Sequence, residues 1–213
     1  MNLKAYCRII FLIALAAIIS DFFGYKSVFY LLKPLTTIFI LLLPLFFPKK
    51  SLLQYRRDLI TGFLFCLIGD VLLLKACLFV CGLVSFFTGH LFFIRAFRQL
   101  LIWHWSFKIG LPLLVFAVLI LFLIYPQLGT LLIPVVFYMG VLVVMSWQGI
   151  HLSLQTEISQ FKRIGIGSIL FLISDTLIAL DKFYESFSGS GILILATYWL
   201  AIGFFALTAS KSQ

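Results

Sequence analysis

Long apolar stretches, broken by short clusters of charged residues, proline and glycine, run through the whole chain of 213 residues. An α-helix needs about 20 residues to cross a bilayer, and these stretches are close to that length. They also lack the apolar-polar alternation of transmembrane β-strands. The pattern predicts helices near residues 6–20, 28–46, 58–74, 77–97, 107–125, 130–150, 163–180 and 191–209. We therefore expect an all-α, polytopic transmembrane helical bundle of about eight helices, forming a single transmembrane domain over residues 1–213.

Composition supports a membrane protein. Apolar residues make up 63% of the chain and charged residues 11%, whereas soluble domains have about 45–50% and about 25%. A soluble fold of this length could not bury so much apolar surface, so the surrounding solvent must itself be apolar. The net charge of +9 does not indicate a nucleic-acid partner, because the charges fall mostly in the predicted loops.

The first apolar segment, Ile9 to Ile19, follows Lys4 and Arg8 and resembles a secretory signal. It continues into Asp21 without a convincing cleavage site, so we interpret it as a retained first helix.

The four cysteines, Cys7, Cys66, Cys77 and Cys81, lie in or beside predicted helices. They have no metal-binding spacing with histidine, and we expect them to be small buried apolar residues.

Basic residues are distributed unevenly between the two sets of loops. An even number of helices places both termini on one side, and twelve of the sixteen lysines and arginines fall there: Lys4, Arg8, Lys49, Lys50, Arg56, Arg57, Arg95, Arg98, Lys108, Lys162, Arg163 and Lys211. The positive-inside rule therefore predicts cytoplasmic termini and, in a bacterium, insertion into the cytoplasmic membrane. Trp103, Trp105 and Trp147 are expected at the same cytoplasmic interface.

An internal repeat is indicated at an offset of 105 residues. Residues 62–74 align with residues 167–179, and the alignment superposes Gly62 on Gly167 and Asp70 on Asp175. Aspartate is rare inside membranes, so its coincidence is more informative than the matching apolar residues. A four-plus-four repeat would relate the two halves by an axis along the membrane normal.

A few polar residues within the predicted helices fall in one layer near the extracytoplasmic side: Lys33, Asp70, Tyr138, Asp175 and Tyr198. A charge at this depth costs on the order of 3 kcal/mol unless it is partnered, so such residues usually mark a functional cavity. The plainer interpretation of Lys33 is a structural ion pair between helices, but that leaves the second carboxylate unexplained.

Further polar residues lie beside this layer. Thr36 and Thr37 follow Lys33 by three and four residues and so share its helix face. Ser85 is a candidate lining residue. His90, deeper in the fourth helix, is either the floor of the cavity or a packed core histidine.

The three histidines are not expected to converge on a metal, because His104 and His151 belong at the cytoplasmic interface; no metal or other cofactor is predicted. No nucleophile elbow or serine triad pattern is apparent. Two carboxylates beside one cation in a poorly solvated site can supply one general acid and one general base. Acid-base chemistry on a lipid is the interpretation that these residues favour.

Five ordered segments make the chain resemble the YhhN family of membrane proteins, whose animal members include lysoplasmalogenase. The segments are Tyr30–Thr37, Gly69–Leu73, Gly89–Phe97, Ser174–Leu180 with Phe183, and Tyr198–Ala201. They occur in family order and span the predicted second to eighth helices. Leu74 and Asp181 depart from the usual family pattern, which leaves the head-group preference open.

The resemblance implies hydrolysis of the vinyl ether bond of a lysoplasmalogen, a lysophospholipid of membranes, to a fatty aldehyde and a glycerophospho-head group. It implies that Asp70 and Asp175 share the acid and base roles. Lys33, Thr36, Thr37, His90, Tyr138 and Tyr198 would bind the substrate.

Two other classes of function fit the same residues. A proton-coupled transporter of a small molecule or lipid would use the layer as its binding site, and Pro34 and Pro134 would then mark interrupted helices. A scaffold protein would lose no activity on neutralisation of both aspartates.

Overall fold

A computed structural model describes residues 2–49, 52–101 and 106–210. Its α-helices are α1 (Leu3–Phe22), α2 (Lys26–Phe46), α3 (Leu53–Leu72), α4 (Phe79–Arg98), α5 (Phe107–Leu128), α6 (Leu132–Gln155), α7 (Ser159–Phe183) and α8 (Ser190–Thr208). The short 3-10 helix Gly129–Leu131 joins α5 to α6 without a non-helical residue. The described residues therefore form seven separate helical segments rather than the predicted eight, and they confirm the all-helical class.

Each predicted helix overlaps an observed one, and the ends differ by a few residues. The largest differences are at α3, which begins at Leu53 instead of residue 58, and at α6, which ends at Gln155 instead of residue 150. Both differences extend a helix beyond the apolar run into polar sequence, because a helix continues wherever its backbone hydrogen bonds are made.

The structure supports an integral, multi-pass membrane protein. Six stretches of the described residues are long and apolar enough to cross a membrane, and one of them, Phe107–Gln155, contains both α5 and α6. Helix α3 is not among them, since it carries Arg56, Arg57, Asp58 and Asp70. The number of crossings stays a prediction.

Helices α5 and α6 fold back on each other as a hairpin. Gly129, between them, has a φ of +48°, a backbone conformation that glycine adopts at little cost. Gly110, near the start of α5, faces the ring of Trp147, near the end of α6, because a Cβ atom added at Gly110 would lie 3.4 Å from that ring. Trp147 is 7% exposed. It therefore packs inside the bundle, and its place at the cytoplasmic membrane interface stays a prediction.

The prolines do not interrupt their helices. Helix α2 runs through Pro34 and Pro44, and α6 begins two residues before Pro134. Pro134 lies in the first turn of α6, where a helix needs no amide donor. Neither Pro34 nor Pro134 therefore marks the kind of interrupted helix that would favour a transporter.

Glycines allow close packing within two helix pairs. A Cβ atom at Gly62 of α3 would clash with the ring of Phe93 of α4. A Cβ atom at Gly167 of α7 would likewise clash with Phe205 of α8. Small residues at helix contacts let backbones approach in membranes, where burial of apolar surface drives association weakly. The α3–α4 and α7–α8 pairs are therefore the tight units of the bundle.

Polar side chains lie inside the bundle and many large apolar ones lie outside it. Thr36, Thr37, His90 and Ser174 are fully buried, while Phe122, Phe137 and Leu200 are more than half exposed. Among the cysteines Cys66 is buried, but Cys77 and Cys81 are exposed. The expectation that all four cysteines are buried is therefore wrong.

The end of the bundle predicted to be cytoplasmic has its own polar contacts. Asp58 of α3 is 4% exposed and lies 3.3 Å from Arg95 of α4, and it also accepts a hydrogen bond from Gln99. Gln160 of α7 donates to the carbonyl groups of Leu207 and Thr208, at the end of α8, and of Ser210, just beyond it. The expectations for Lys50, Trp103, His104, Trp105 and Lys211 lie outside the described residues.

Candidate functional site

Asp70 is the centre of a polar network between α2, α3 and α8. The Thr37 hydroxyl donates to Asp70 Oδ2 over 2.6 Å, and the Tyr198 hydroxyl donates to the same oxygen over 2.9 Å. Lys33 Nζ lies 3.9 Å from Asp70 Oδ1. Asp70 is 1% exposed. Two hydroxyl donors and a cation stabilise an ionised carboxylate in a place where bare burial would oppose it.

The network continues from Thr37 to Trp199. The Trp199 Nε1–H donates to Thr37 Oγ1 over 3.2 Å, so this hydroxyl accepts from the indole and donates to Asp70. Both partners are buried. The hydrogen-bond chain fixes the direction in which the Thr37 hydroxyl points, and therefore fixes the orientation of the carboxylate.

Asp175 has sparser surroundings between α4, α6 and α7. The Tyr138 hydroxyl donates to Asp175 Oδ2 over 2.6 Å. His90 Nε2 lies 3.7 Å from the same oxygen, beyond hydrogen-bond distance, and has no hydrogen-bond partner among the described residues. His90 is fully buried. A small displacement, or a bound hydroxyl group, would connect the imidazole to the carboxyl group.

Aromatic rings join the two carboxyl environments. The Phe171 ring centroid lies 4.7 Å from that of His90 and 5.6 Å from that of Tyr198. Phe86 contacts Tyr198 at 5.8 Å between ring centroids and also lines a cavity with Asp175. Phe171 therefore packs against a residue beside each of the two carboxyl groups.

The structure brings together most of the residues that the sequence singled out. Lys33, Thr37 and Tyr198 contact Asp70, whereas Tyr138 and His90 face Asp175.

Thr36 and Ser85 are placed differently. Thr36 donates to the Leu32 carbonyl of its own helix over 2.9 Å, so its hydroxyl is engaged away from the carboxylates. Ser85 donates to the Phe65 carbonyl of α3 over 2.6 Å, and this bond ties α4 to α3. The assignment of Thr36 to substrate binding has no support from these contacts.

Sequence reasoning missed three residues of the site: Trp199, Phe171 and Cys66. Cys66 is fully buried one helical turn before Asp70. Its i, i+4 spacing to Asp70 was a readable signal, as was the position of Trp199 next to Tyr198. Phe171 carries no such signal, since it is one of 25 phenylalanines in the chain.

The arrangement can perform acid-base chemistry. One carboxyl group is surrounded by donors and a cation, while the other has one hydroxyl donor and a buried imidazole. Unequal surroundings of this kind separate an acid from a base. Lys33 is 12% exposed at its side chain, so a cation at the edge of the site is available to an anionic group.

Comparison with known proteins identifies related enzymes. The chain is 32% identical over 162 residues to human lysoplasmalogenase TMEM86A, covering 71% of the chain and 65% of that protein. It is 30% identical over 158 residues to the Bos taurus lysoplasmalogenase TMEM86A, with 71% and 65% covered. Human lysoplasmalogenase TMEM86B is 29% identical over 162 residues, with 73% and 65% covered. The chain thus spans about 65% of the length of each of these relatives. No solved structure matches the chain significantly.

The family resemblance seen in the sequence extends over most of the chain. The model of the YhhN family matches residues 28–209, a range that runs from the first turn of α2 to the end of α8 and contains both aspartates. The chain belongs to the YhhN family.

Proposed function

We propose that this protein is a membrane-embedded hydrolase that cleaves the vinyl ether bond of a lysoplasmalogen. The products are a fatty aldehyde and a glycerophospho-head group. The observation that carries this proposal is a pair of buried, unequally surrounded carboxyl groups, Asp70 and Asp175, with a cation beside one of them. The names of the relatives support the same substrate class.

Lys33 suits the anionic part of such a substrate. Its ammonium group lies near Asp70 at a distance of 3.9 Å, longer than a hydrogen bond, so it has donors to spare. A lysophospholipid phosphate in the same place would gain a charge-assisted contact. The head group would then lie on the Asp70 side, and the vinyl ether would extend toward Asp175.

Asp175 is the better candidate for the general acid. It has no lysine or arginine partner among the described residues, and its hydrogen-bond donor is the neutral hydroxyl of Tyr138. A buried carboxyl group without a cation favours its neutral, protonated form. In the first step its proton is transferred to the β-carbon of the vinyl ether. This leaves the positive charge on the ether carbon and oxygen and leaves Asp175 as a carboxylate.

Asp70 then acts as the base. Water adds to the positively charged carbon, and Asp70 takes the proton that the water loses, which yields a hemiacetal. Collapse of the hemiacetal returns its hydroxyl proton to Asp175, while Asp70 donates its proton to the leaving glycerol oxygen. The aldehyde is released and both carboxyl groups regain their initial states. The net reaction consumes one water.

The direct test is aldehyde release by the purified protein. The protein in detergent is given a lysoplasmalogen in deuterated water, and the aldehyde is analysed by mass spectrometry. We expect aldehyde carrying a single deuterium on the carbon next to the carbonyl, because that carbon receives the proton from the acid. Absence of aldehyde contradicts the proposed function. Aldehyde without deuterium on that carbon contradicts the mechanism.

The internal repeat is also part of this proposal. Lys33 and Tyr138 occupy equivalent positions at the offset of 105, and each contacts the aspartate of its own half. Helices α1, α2 and α3 begin at residues 3, 26 and 53, and α5, α6 and α7 begin at residues 107, 132 and 159. The equivalent starts and the equivalent contacts support two related halves, each contributing one carboxyl group to a shared site.

We further propose that the site lies toward the extracytoplasmic side and that both termini are cytoplasmic. The basic residues Arg56, Arg57, Arg95 and Arg98 lie at the opposite ends of α3 and α4 from Asp70 and Cys77. The positive-inside rule places those basic ends in the cytoplasm. In a bacterium the membrane concerned would be the cytoplasmic membrane.

A further inference from the structure

An open groove lies between α3 and α4 at the end of these helices that is farthest from Asp70. Its volume is about 780 Å³, within the range of about 300–1,000 Å³ that is typical of ligand sites. The groove is lined by one residue of α3 and by residues from the second half and the end of α4: Gln54, Leu91, Ile94, Arg95, Arg98 and Gln99. Among the described residues no carboxyl group lines it, although the buried Asp58 contacts its walls from inside the bundle.

The lining residues within α4 share one helix face, and the character of that face changes along the helix. They follow the spacing i, i+3, i+4 and i+7, which places them on the same side of a helix. Leu91 and Ile94 lie deeper along α4, and Leu91 is 44% exposed. Arg95 and Arg98 lie in the last turn. An apolar surface that leads to cations at a helix end has the same order as the acyl chain and phosphate group of a phospholipid.

The buried carboxylate of Asp58 orients the polar side chains of the groove. Asp58 is 4% exposed. Its Oδ2 atom lies 3.3 Å from Arg95 Nε and accepts a hydrogen bond from Gln99. Its Oδ1 atom accepts a hydrogen bond from Gln54 over 3.4 Å. Arg95 is thus held through Nε, while the rest of its side chain, which is 62% exposed, extends into the groove. A guanidinium held in this way presents its outer N–H groups in a fixed direction.

The charge of the groove favours an anion. Two arginines and one aspartate leave a net charge of +1 on this cluster. The paired N–H groups of an arginine match two oxygens of a phosphate. Asp58 is buried and its oxygens already accept contacts, so a ligand's ammonium group would meet no available carboxylate in the groove. A phospholipid with net negative charge therefore suits the groove better than a zwitterionic one.

We propose that this groove binds an anionic phospholipid, with its phosphate group at Arg95 and Arg98 and one acyl chain along Leu91 and Ile94. Basic pockets between transmembrane helices on the cytoplasmic side are known to bind anionic lipid head groups, and this is the end of the bundle that we propose to be cytoplasmic. The inference is independent of the proposed reaction, because the groove and Asp70 lie at opposite ends of α3.

Lipid binding by the purified protein tests the inference. The protein in maltoside detergent is titrated with phosphatidylglycerol or with phosphatidylcholine of the same acyl chains, and native mass spectrometry counts the bound lipids. We expect the first phosphatidylglycerol to bind at least about fivefold more tightly, since one basic residue contributes about that factor toward an anionic lipid. Equal affinity for the two lipids would overturn the inference.

Matched arginine variants locate the binding site. Arg98→Gln removes one positive charge from the groove. Arg57→Gln removes one from an exposed residue of α3 at the same end of the bundle, outside the groove. We expect Arg98→Gln to weaken phosphatidylglycerol binding about fivefold and Arg57→Gln to weaken it by less than about twofold. An equal loss in both variants would show diffuse attraction to a basic surface and would contradict a defined site.

Arg95→Lys examines the second cation without removing the partner of Asp58. Lysine keeps the positive charge beside this buried carboxylate, so the variant avoids the large destabilisation that follows an unpaired buried charge. It loses the paired N–H groups that a phosphate would meet. We expect weaker binding of phosphatidylglycerol and unchanged binding of phosphatidylcholine. Unchanged binding of both lipids would contradict the placement of the phosphate at Arg95.

A soluble competitor distinguishes a lipid from a free phosphate compound. Glycerol 3-phosphate carries the phosphate group without acyl chains, so it cannot contact Leu91 and Ile94 in the way that a lipid would. We expect it to leave phosphatidylglycerol bound when both are present at the same concentration. Displacement of the lipid under these conditions would assign the groove to soluble phosphate compounds and overturn the inference.

Discussion

Asp70 and Asp175 coincide in the sequence at an offset of 105 residues, yet their surroundings differ in almost every contact. Asp70 is held by Thr37, Tyr198 and the nearby Lys33. Asp175 is held by Tyr138 alone among the described hydroxyl groups and borders an apolar cavity. Duplication of a helix pair would supply two carboxyl groups, and divergence of their neighbours makes them chemically unequal. An acid and a base can arise in this way from one repeated motif.

Neutralising either aspartate should cause the largest loss of activity and tests whether both carboxyl groups take part in the chemistry. We expect Asp175→Asn and Asp70→Asn each to lower kcat by about 10²–10⁴, the range typical of losing a general acid or base. Aldehyde release by purified variants at equal folded concentration measures the effect. Asp181→Asn is the matched control, because Asp181 bonds to the exposed Ser186 away from both carboxyl groups. Retention of wild-type kcat in either variant would remove that residue from the chemistry.

Removing one tyrosine hydroxyl at a time sharpens the contrast between the two environments. Tyr138→Phe removes the hydrogen bond that Asp175 accepts. This bond stabilises the carboxylate that Asp175 becomes on giving up its proton, and hydrogen bonds to charged groups contribute about 1.5–3 kcal/mol, so we expect kcat/KM to fall about tenfold or more. Tyr198→Phe leaves Asp70 with Thr37 and Lys33 and should cost less. Tyr125→Phe, at a residue that is 59% exposed, serves as the control. A larger loss in Tyr198→Phe than in Tyr138→Phe would reverse the proposed acid and base.

The α3–α4 and α7–α8 helix pairs should be destabilised to a similar extent by an added methyl group at their glycine contacts. We expect Gly62→Ala and Gly167→Ala each to lower the stability of the bundle by about 1–3 kcal/mol, the usual effect of overpacking. Phe93 and Phe205 meet the added methyl groups and also pack on each other at 5.3 Å between ring centroids, so neither ring can move freely.

Thiol reactivity on heating measures this change. With Cys7, Cys77 and Cys81 replaced by serine, the buried Cys66 reports unfolding in detergent. Gly140→Ala is the control, because a Cβ atom there would meet no heavy atom within 4 Å. A transition that is lowered in one of the two glycine variants alone would speak against equivalent helix pairs.

The side of the membrane on which the two aspartates lie can be tested without measuring activity. Cys77 is exposed between α3 and α4, near the end of α3 that carries Asp70. If that end is extracytoplasmic, a membrane-impermeant maleimide should label Cys77 in intact bacterial cells that express the protein. Cys77→Ser provides the background. Labelling that requires permeabilised cells would place the site on the cytoplasmic side and reverse the proposed topology.

Much of the fold was readable in the sequence because helices in a membrane must be apolar and about 20 residues long. The ends of α3 and α6 were less readable, since both continue into polar sequence that ordinary helix propensity tolerates. The number of membrane crossings could not be predicted with the same certainty, because it depends on helix α3. The four charges of α3 make its composition intermediate between that of a membrane span and that of a soluble helix.

The site was partly readable for a related reason. Lys33, Asp70 and Asp175 are conspicuous because charges are rare inside the membrane. Their partners Tyr138 and Tyr198 were found by their depth in the predicted helices, and Tyr138 also by its coincidence with Lys33 at the offset of 105 residues. Thr36 and Thr37 could not be separated, although they are about 100° apart around the helix. One bonds back to Leu32 and the other reaches Asp70. Phe171 could not be predicted from the sequence, because one aromatic residue among many carries no mark of its neighbours.

Helix α5 forms one wall of the cavity beside Asp175, yet among its 22 residues Ile124 and Leu128 alone are buried. In water, lifting such a helix from its partners would expose apolar surface at high cost. In a bilayer the displaced contacts are replaced by lipid tails of the same polarity, so the cost is confined to lost packing. If the proposed lysolipid enters past α5, the barrier to its entry depends on how tightly the surrounding acyl chains are ordered. Bilayer fluidity would then control the rate of entry from outside the protein.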